Sequence, residues 1–260
     1  MDLRKSYAIM SNDISEVFSS KAIYMPMIAV PAFFAVMLPV LTYYISIYNL
    51  SGLAAHLVGS AADLVSGIGP NGQRFMAYFS IYVLGPIFMT MPIFTASVIA
   101  ADSFAGEKER KTSEAILSTP VTTIELLVGK IAASFIPAVL LTLVVFAIYG
   151  SMINYLSMKA FGTYLLPTLS WLLMILLAPF LSLAAIGIVV LVSAHVQGIK
   201  EAQQISSLLI LPVMLLPFAS IFGVADLSPG FFAETMAVLT LIDISVIYVG
   251  IRSFRKEAIL

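Results

Sequence analysis

The chain has 260 residues, of which 60% are hydrophobic and 10% charged, with a mean hydropathy of +1.04 and a net charge of −1. Thirteen basic and fourteen acidic side chains cannot cover that much apolar surface in water, which excludes a soluble domain and implies a membrane protein with several spans. With no cysteine there is no disulfide, thiolate metal site or cysteine nucleophile, and the two histidines, His56 and His195, lack any metal-binding spacing. No basic stripe points to nucleic acid.

The first 21 residues are polar and charged, and the apolar run behind them is too long for the core of a cleavable signal. Insertion is expected through the first span itself. Leu3, Tyr7, Met10, Ile14 and Val17 recur at steps of four, three, four and three, while Arg4, Asp13 and Glu16 lie off that face. This spacing predicts an amphipathic helix over residues 1–21, lying in the inner membrane interface and leading into the first span. A soluble, partner-binding helix is the alternative.

A helix needs about 20 apolar residues to cross the hydrocarbon core. Residues 22–55, 75–101, 131–158, 160–194 and 202–225 contain no Asp, Glu, Lys or Arg. Residues 231–251 qualify if Glu234 lies at the edge and Asp243 is tolerated inside. The expected fold is an all-α membrane protein in one domain, 1–260, with spans at about 22–47, 75–101, 130–153, 164–194, 204–225 and 231–251. Ten of the thirteen prolines fall in the apolar runs. They read either as kinked packing or as hinges. The fourth run, if wholly helical, would be about 52 Å long. It is therefore expected to tilt, to kink at Pro179, or to begin as a surface helix before Pro167. The outer loop 48–74 is apolar and glycine-rich, and its sequon at Asn49 sits against the membrane.

Orientation follows from Lys and Arg. With the N-terminus inside, the inner side carries Arg4, Lys5, Lys21, Lys108, Arg110, Lys111, Lys130, Lys200, Arg252, Arg255 and Lys256. The outer side carries only Arg74 and Lys159. Both termini are expected in the cytoplasm, in a multi-pass protein of the cell membrane.

Between the second and third spans lies a charged island, 102–130. Asp102, Glu107, Lys108, Glu109, Arg110, Lys111, Glu114, Glu125 and Lys130 are expected to lie in water or against another protein. Glu107 with Lys111 and Arg110 with Glu114 are opposite charges at four-residue spacing, which favours a short helix. Pro120 ends it, and Thr122 or Thr123 can cap a new helix running into the third span. An ordinary solvated loop is the bland alternative. Gly129-Lys130 does not end a P-loop, because Ile124 and Ile131 occupy positions that need Gly and Ser or Thr.

The island resembles that of ABC-2 type exporter permeases. The matching residues are Glu107-Lys108-Glu109-Arg110-Lys111-Thr112, then Glu114 to Val121 with Ser118-Thr119-Pro120, then Glu125 to Lys130 ending in Gly129-Lys130. A weaker match is Lys200-Glu201-Ala202-Gln203 followed by Leu211-Pro212. The resemblance implies a permease subunit whose two copies, or two related chains, form the translocation path. It implies separate ATPase subunits that bind ATP and Mg, with no cofactor in this chain. It also implies a cytoplasmic coupling helix at about 104–112 (Phe104, Glu107, Lys108, Glu109, Arg110, Lys111 and Thr112), a coupling turn (Ser118, Pro120, Gly129 and Lys130), and a second cytoplasmic loop (Lys200, Glu201 and Gln203). Gly106 departs from a regular helix and is expected to break its early part.

Asp243 lies roughly 13 Å above the inner end of the sixth span. A carboxylate at that depth costs several kcal/mol unless it is paired or hydrated. It reads as a polar point in the translocation path, or as a packing residue. It also supports a competing reading, an ion-coupled secondary transporter, against which stands the lack of inverted repeats. His195 reads as a helix-end residue, and Trp171 as an anchor or packing residue. An intramembrane enzyme finds no catalytic constellation. The cargo is not legible; the nearly uncharged spans lean only slightly toward an amphipathic or lipid-like molecule.

Overall fold

A computed structural model describes residues 3–48, 71–109, 121–193, 196, 198–221 and 227–253. Every regular element among them is helical. The elements are α1 (Leu3–Ser19), α2 (Lys21–Ile47), α3 (Asn71–Tyr78), a π-helical turn (Phe79–Val83), α4 (Leu84–Phe88), α5 (Thr90–Glu109), α6 (Thr123–Phe161), α7 (Leu169–Ser193), α8 (Ile199–Ser207), α9 (Ile210–Ile221) and α10 (Pro229–Ser253). Among the described residues, six helical stretches are long and apolar enough to cross a membrane. The protein is an all-α, multi-pass membrane protein.

The second span is the centre of the bundle. It runs from α3 through α5 and is mostly buried, with α6 and α7 packed along α5. The outer spans turn large apolar side chains away from the protein, among them Phe33, Leu140, Leu215 and Leu241. Lipid accepts such a surface, whereas water would not. The second span is not one regular helix. Its π turn frees backbone carbonyls, and Tyr149 of α6 donates to one of them, Ser80 O, at 3.1 Å. Tyr149 stacks on Trp171 at 5.3 Å and tilts against Phe88 at 4.5 Å. Trp171 is thus a core packing residue rather than an interface anchor. Gly85 lets this span approach Met174, since a Cβ there would stand 2.7 Å from its sulfur.

The fourth apolar run divides differently from the expectation. Its first residues finish α6, which continues to Phe161 and ends at Gly162 in the left-handed region, φ 72°. Asn154 then holds the connecting segment: its amide donates to Leu166 O, and its carbonyl accepts from Leu165 N and Leu166 N. The span proper, α7, has 25 residues and contains Pro179, about 37 Å at about 1.5 Å per residue. No long tilt or surface helix is required. The fifth span likewise comes in two pieces, α8 and α9, joined at Leu208 and Leu209.

α1 forms where the spacing predicts it, and the side it turns to the bundle includes polar as well as apolar residues. Ser6, Asp13 and Val17 are buried, whereas Leu3 and Tyr7 are 72% and 65% exposed. Ser6 and Asp13 find partners on α5 and α6, while Leu3 and Tyr7 turn away from the protein. Ser20, in extended conformation, is the one-residue joint between α1 and α2.

Candidate functional site

The polar residues concentrate at the end of the bundle where α5 finishes and α6 begins. Thr122 caps α6: its hydroxyl accepts from Glu125 N at 3.3 Å, and Thr122 N donates to Glu125 Oε2 at 3.0 Å. This reciprocal box satisfies two otherwise orphaned amides. It fixes α6 from its first turn and aims Lys130, two turns on, into the protein.

Lys130 is 1% exposed. Its ammonium donates to Ser103 O and Glu107 Oε1 at 2.5 Å each, and to Ser103 Oγ at 3.3 Å. Asp13 Oδ2 lies 3.7 Å away. Ser103 Oγ donates to the same Asp13 oxygen at 2.5 Å. The Phe104 ring sits beneath the cation, 5.4 Å to its centroid. One buried charge therefore ties three helices, α1, α5 and α6, with its donors occupied, as a buried charge requires. Beside it α1 and α6 meet backbone to backbone. A Cβ on Gly129 would lie 2.8 Å from Ser6 O and 2.9 Å from Ile9 Cβ. Ser6 Oγ donates to Glu125 O at 3.0 Å in the same contact. Glycine is needed here for close approach, since Gly129 lies within regular helix.

A second tie leaves the end of α5. Glu109 Oε2 accepts from Ile199 N at 2.9 Å, capping the first turn of α8. Gly198 gives it room, since a Cβ there would stand 3.0 Å from that oxygen. Deeper in, Ser97 and Ser206 hydrogen-bond at 2.8 Å, and Ser206 also donates to Ala185 O on α7.

For three of the island's charged residues these contacts correct the expectation that they lie in water or against another protein. Asp102, Glu125 and Lys130 are buried within the chain. Gly106 does not break the helix: α5 runs through it to Glu109 as a direct continuation of the second span. The packing of α5 against α6, α7 and α8 overrides the propensity of one glycine. Phe104 is 7% exposed, and Glu107 turns inward to Lys130. Glu109 is exposed yet bonded to α8. The backbone of Lys108 is helical, while its side chain lies outside the described residues. Arg110, Lys111, Thr112, Glu114, Ser118, Pro120 and His195 lie outside them too, as do the loop 49–70 and the inner-side residues Arg255 and Lys256. Lys200 and Glu201 are on the exposed side of α8, and Gln203 is half-buried.

Asp243 stands apart from this cluster. It is 4% exposed on the face of α10 that packs against α7, and neither carboxylate oxygen has a hydrogen-bond partner among the described residues. Gly187 allows the close approach of these two helices, because a Cβ there would run into Val246. Among the described residues no group of three His, Asp or Glu side chains could hold a metal.

Reasoning from the sequence missed Asp13, Ser103 and Ser6. Asp13 was placed only as lying off the apolar face of α1. Its partners lie 90 and 117 residues away in sequence, so no local spacing marks it.

The bundle is that of a multi-pass membrane protein with one end braced by polar ties. The chain belongs to the ABC-2 family: the family model described as ABC-2 family transporter protein matches residues 65–252. It is a membrane permease of the ABC transporter class, a transport component and not a catalytic one. No curated protein matches the chain.

Proposed function

We propose that this permease is the membrane subunit of an ATP-driven ABC-2 type exporter. It works as a dimer in the cell membrane, with both termini in the cytoplasm. Separate ATPase subunits bind ATP and Mg and engage the 102–130 segment. The supporting observation is mechanical. α5 is one unbroken helix from mid-span to Glu109, and Lys130 bonds it to the first turns of α6. A force applied where α5 and α6 are joined is delivered to both spans as a rigid-body motion rather than lost in a loop. Charge in the connecting segment supplies complementarity to a partner.

The test is co-purification with the ATPase co-expressed from the same organism. Wild type is compared with Lys108→Glu/Arg110→Glu/Lys111→Glu, which spares the internal bonds of Glu107 and Glu109. Capture by wild type and loss in the variant is the expected result. Equal capture by both would move the docking site elsewhere, and no capture by either would sink the proposal.

The carboxylate of Asp243, buried without a hydrogen-bond partner among the described residues, favours one second reading, an ion-coupled transporter. That reading requires Asp243→Asn to abolish transport driven by an ion gradient in vesicles lacking ATP. The ATP-driven reading expects no such transport in wild type.

A further inference from the structure

We propose that the seam between α7 and α10 is a lateral binding site for an amphipathic organic cation, with Asp243 taking the charged head and the adjoining groove taking the apolar chain. This names a ligand class for the permease, and the transport role of such a ligand rests on that reading.

Phe232, Leu239, Asp243 and Val246 follow one another at steps of seven, four and three residues, so they share one face of α10. That face turns toward the bundle: Phe232, Leu239 and Asp243 are buried, and Val246 meets Gly187 of α7. Leu241, Ile244 and Tyr248 turn outward. The principal neighbour of α10 is α7. Asp243 is therefore enclosed on a peripheral span, mainly by one other helix.

The hydroxyls of this seam are engaged elsewhere. Thr240, three residues before Asp243, donates to Met236 O, and Ser182 of α7 donates to Ala178 O. Neither Asp243 oxygen has a hydrogen-bond partner among the described residues. A carboxylate in such surroundings is costly until a cation meets it. Hard metal ions demand several oxygen ligands, and no group of three acidic or His side chains among the described residues supplies them. An ammonium or guanidinium head needs only one carboxylate.

One turn from Asp243 on the same face, Val246 forms a wall of an open groove. Leu127 and Ile131 of α6 and Leu183, Ile186 and Val190 of α7 line the rest of it. These side chains are all aliphatic, so the groove accepts hydrocarbon and offers no partner to a polar chain. The demand for a positive charge and the demand for hydrocarbon thus lie side by side. An alkyl chain ending in a cation meets both. A small ion meets only the first, and a neutral lipid tail only the second.

Full-length permease in lipid nanodiscs, without ATPase or ATP, is titrated with tritiated dodecyltrimethylammonium and read by scintillation proximity. Saturable binding to wild type is expected. Asp243→Asn keeps the shape of the side chain and should weaken binding about tenfold or more, as loss of one charge-assisted contact does. Leu183→Phe narrows the groove, leaves the carboxylate in place and should also weaken binding. On wild type, tetramethylammonium (the head alone) and dodecyl maltoside (a chain without charge) should each compete at least about tenfold more weakly than unlabelled dodecyltrimethylammonium. These competitors need no variant, so the comparison stands even where a substitution disturbs the fold. Binding that does not saturate, or that is equal in wild type and both variants, overturns the site. Equal competition by tetramethylammonium overturns the amphipathic ligand in favour of a small cation, and equal competition by dodecyl maltoside overturns the role of charge. With no ATPase present, failure here leaves the ATP-driven reading intact, and failure of that reading leaves the binding result intact.

Discussion

Of the ionisable side chains buried among the described residues, Lys130 and Asp243 stand in opposite circumstances. Lys130, 1% exposed, has three donor contacts and a carboxylate nearby. Asp243, 4% exposed, has no hydrogen-bond partner for either oxygen among the described residues. Burial alone therefore does not tell what a charge does. A charge that organises its neighbours leaves them stranded when it is removed. A charge without partners leaves nothing stranded, and its removal relieves a desolvation cost.

The largest effect should come from Lys130→Met. It keeps most of the length of the side chain but removes the donor to Ser103 and Glu107 and the charge beside Asp13, at a cost of about 3–5 kcal/mol. Denaturant unfolding in detergent would read this as a lower midpoint. An unchanged midpoint would break the comparison at its stronger end. Gly129→Leu should follow, at about 1–3 kcal/mol, because its side chain collides with Ser6 O and Ile9. Limited proteolysis should then cut within α1 faster than in wild type.

Thr122→Ala removes the capping box of α6 and should cost about 1 kcal/mol. Amide exchange should rise at Glu125 and fall off beyond the first turn. Glu109→Ala removes an exposed bond to Ile199 N and should cost no more than about 1 kcal/mol, read as faster exchange of that amide. Asp243→Leu should be neutral or stabilising. A loss of about 2 kcal/mol or more there would mean that Asp243 does have a partner, and would erase the contrast with Lys130.

The spans were legible because length and hydropathy are local properties. Residues 22–47 were expected as the first span, and α2 covers Lys21–Ile47. A cap at Thr122 or Thr123 was legible for the same reason, since donor and acceptor are three residues apart, and the structure uses Thr122. The side of α1 that turns to the bundle was not legible, for a physical reason. Its apolar face was read as lying in the inner membrane interface, whereas which residues turn toward the bundle depends on what the neighbouring helices offer. Here α5 and α6 offer Ser103, Lys130 and a bare Gly129 backbone, so Ser6 and Asp13 turn inward. The expectation for Gly106 failed because helix propensity is weak, and packing on three neighbouring helices outweighs it.

By itself the sequence determined the environment, the number of spans and the segment that links the second and third. Each follows from a property summed over neighbouring residues, apolar length against membrane thickness or charge density against solvation. Only the tertiary structure decided which of the island's charges belong to the chain's own interior. Lys130 meets Glu107 across 23 residues and Asp13 across 117, and Glu109 meets Ile199 across 90. Such pairings depend on how the helices pack, and no local pattern along the chain records them.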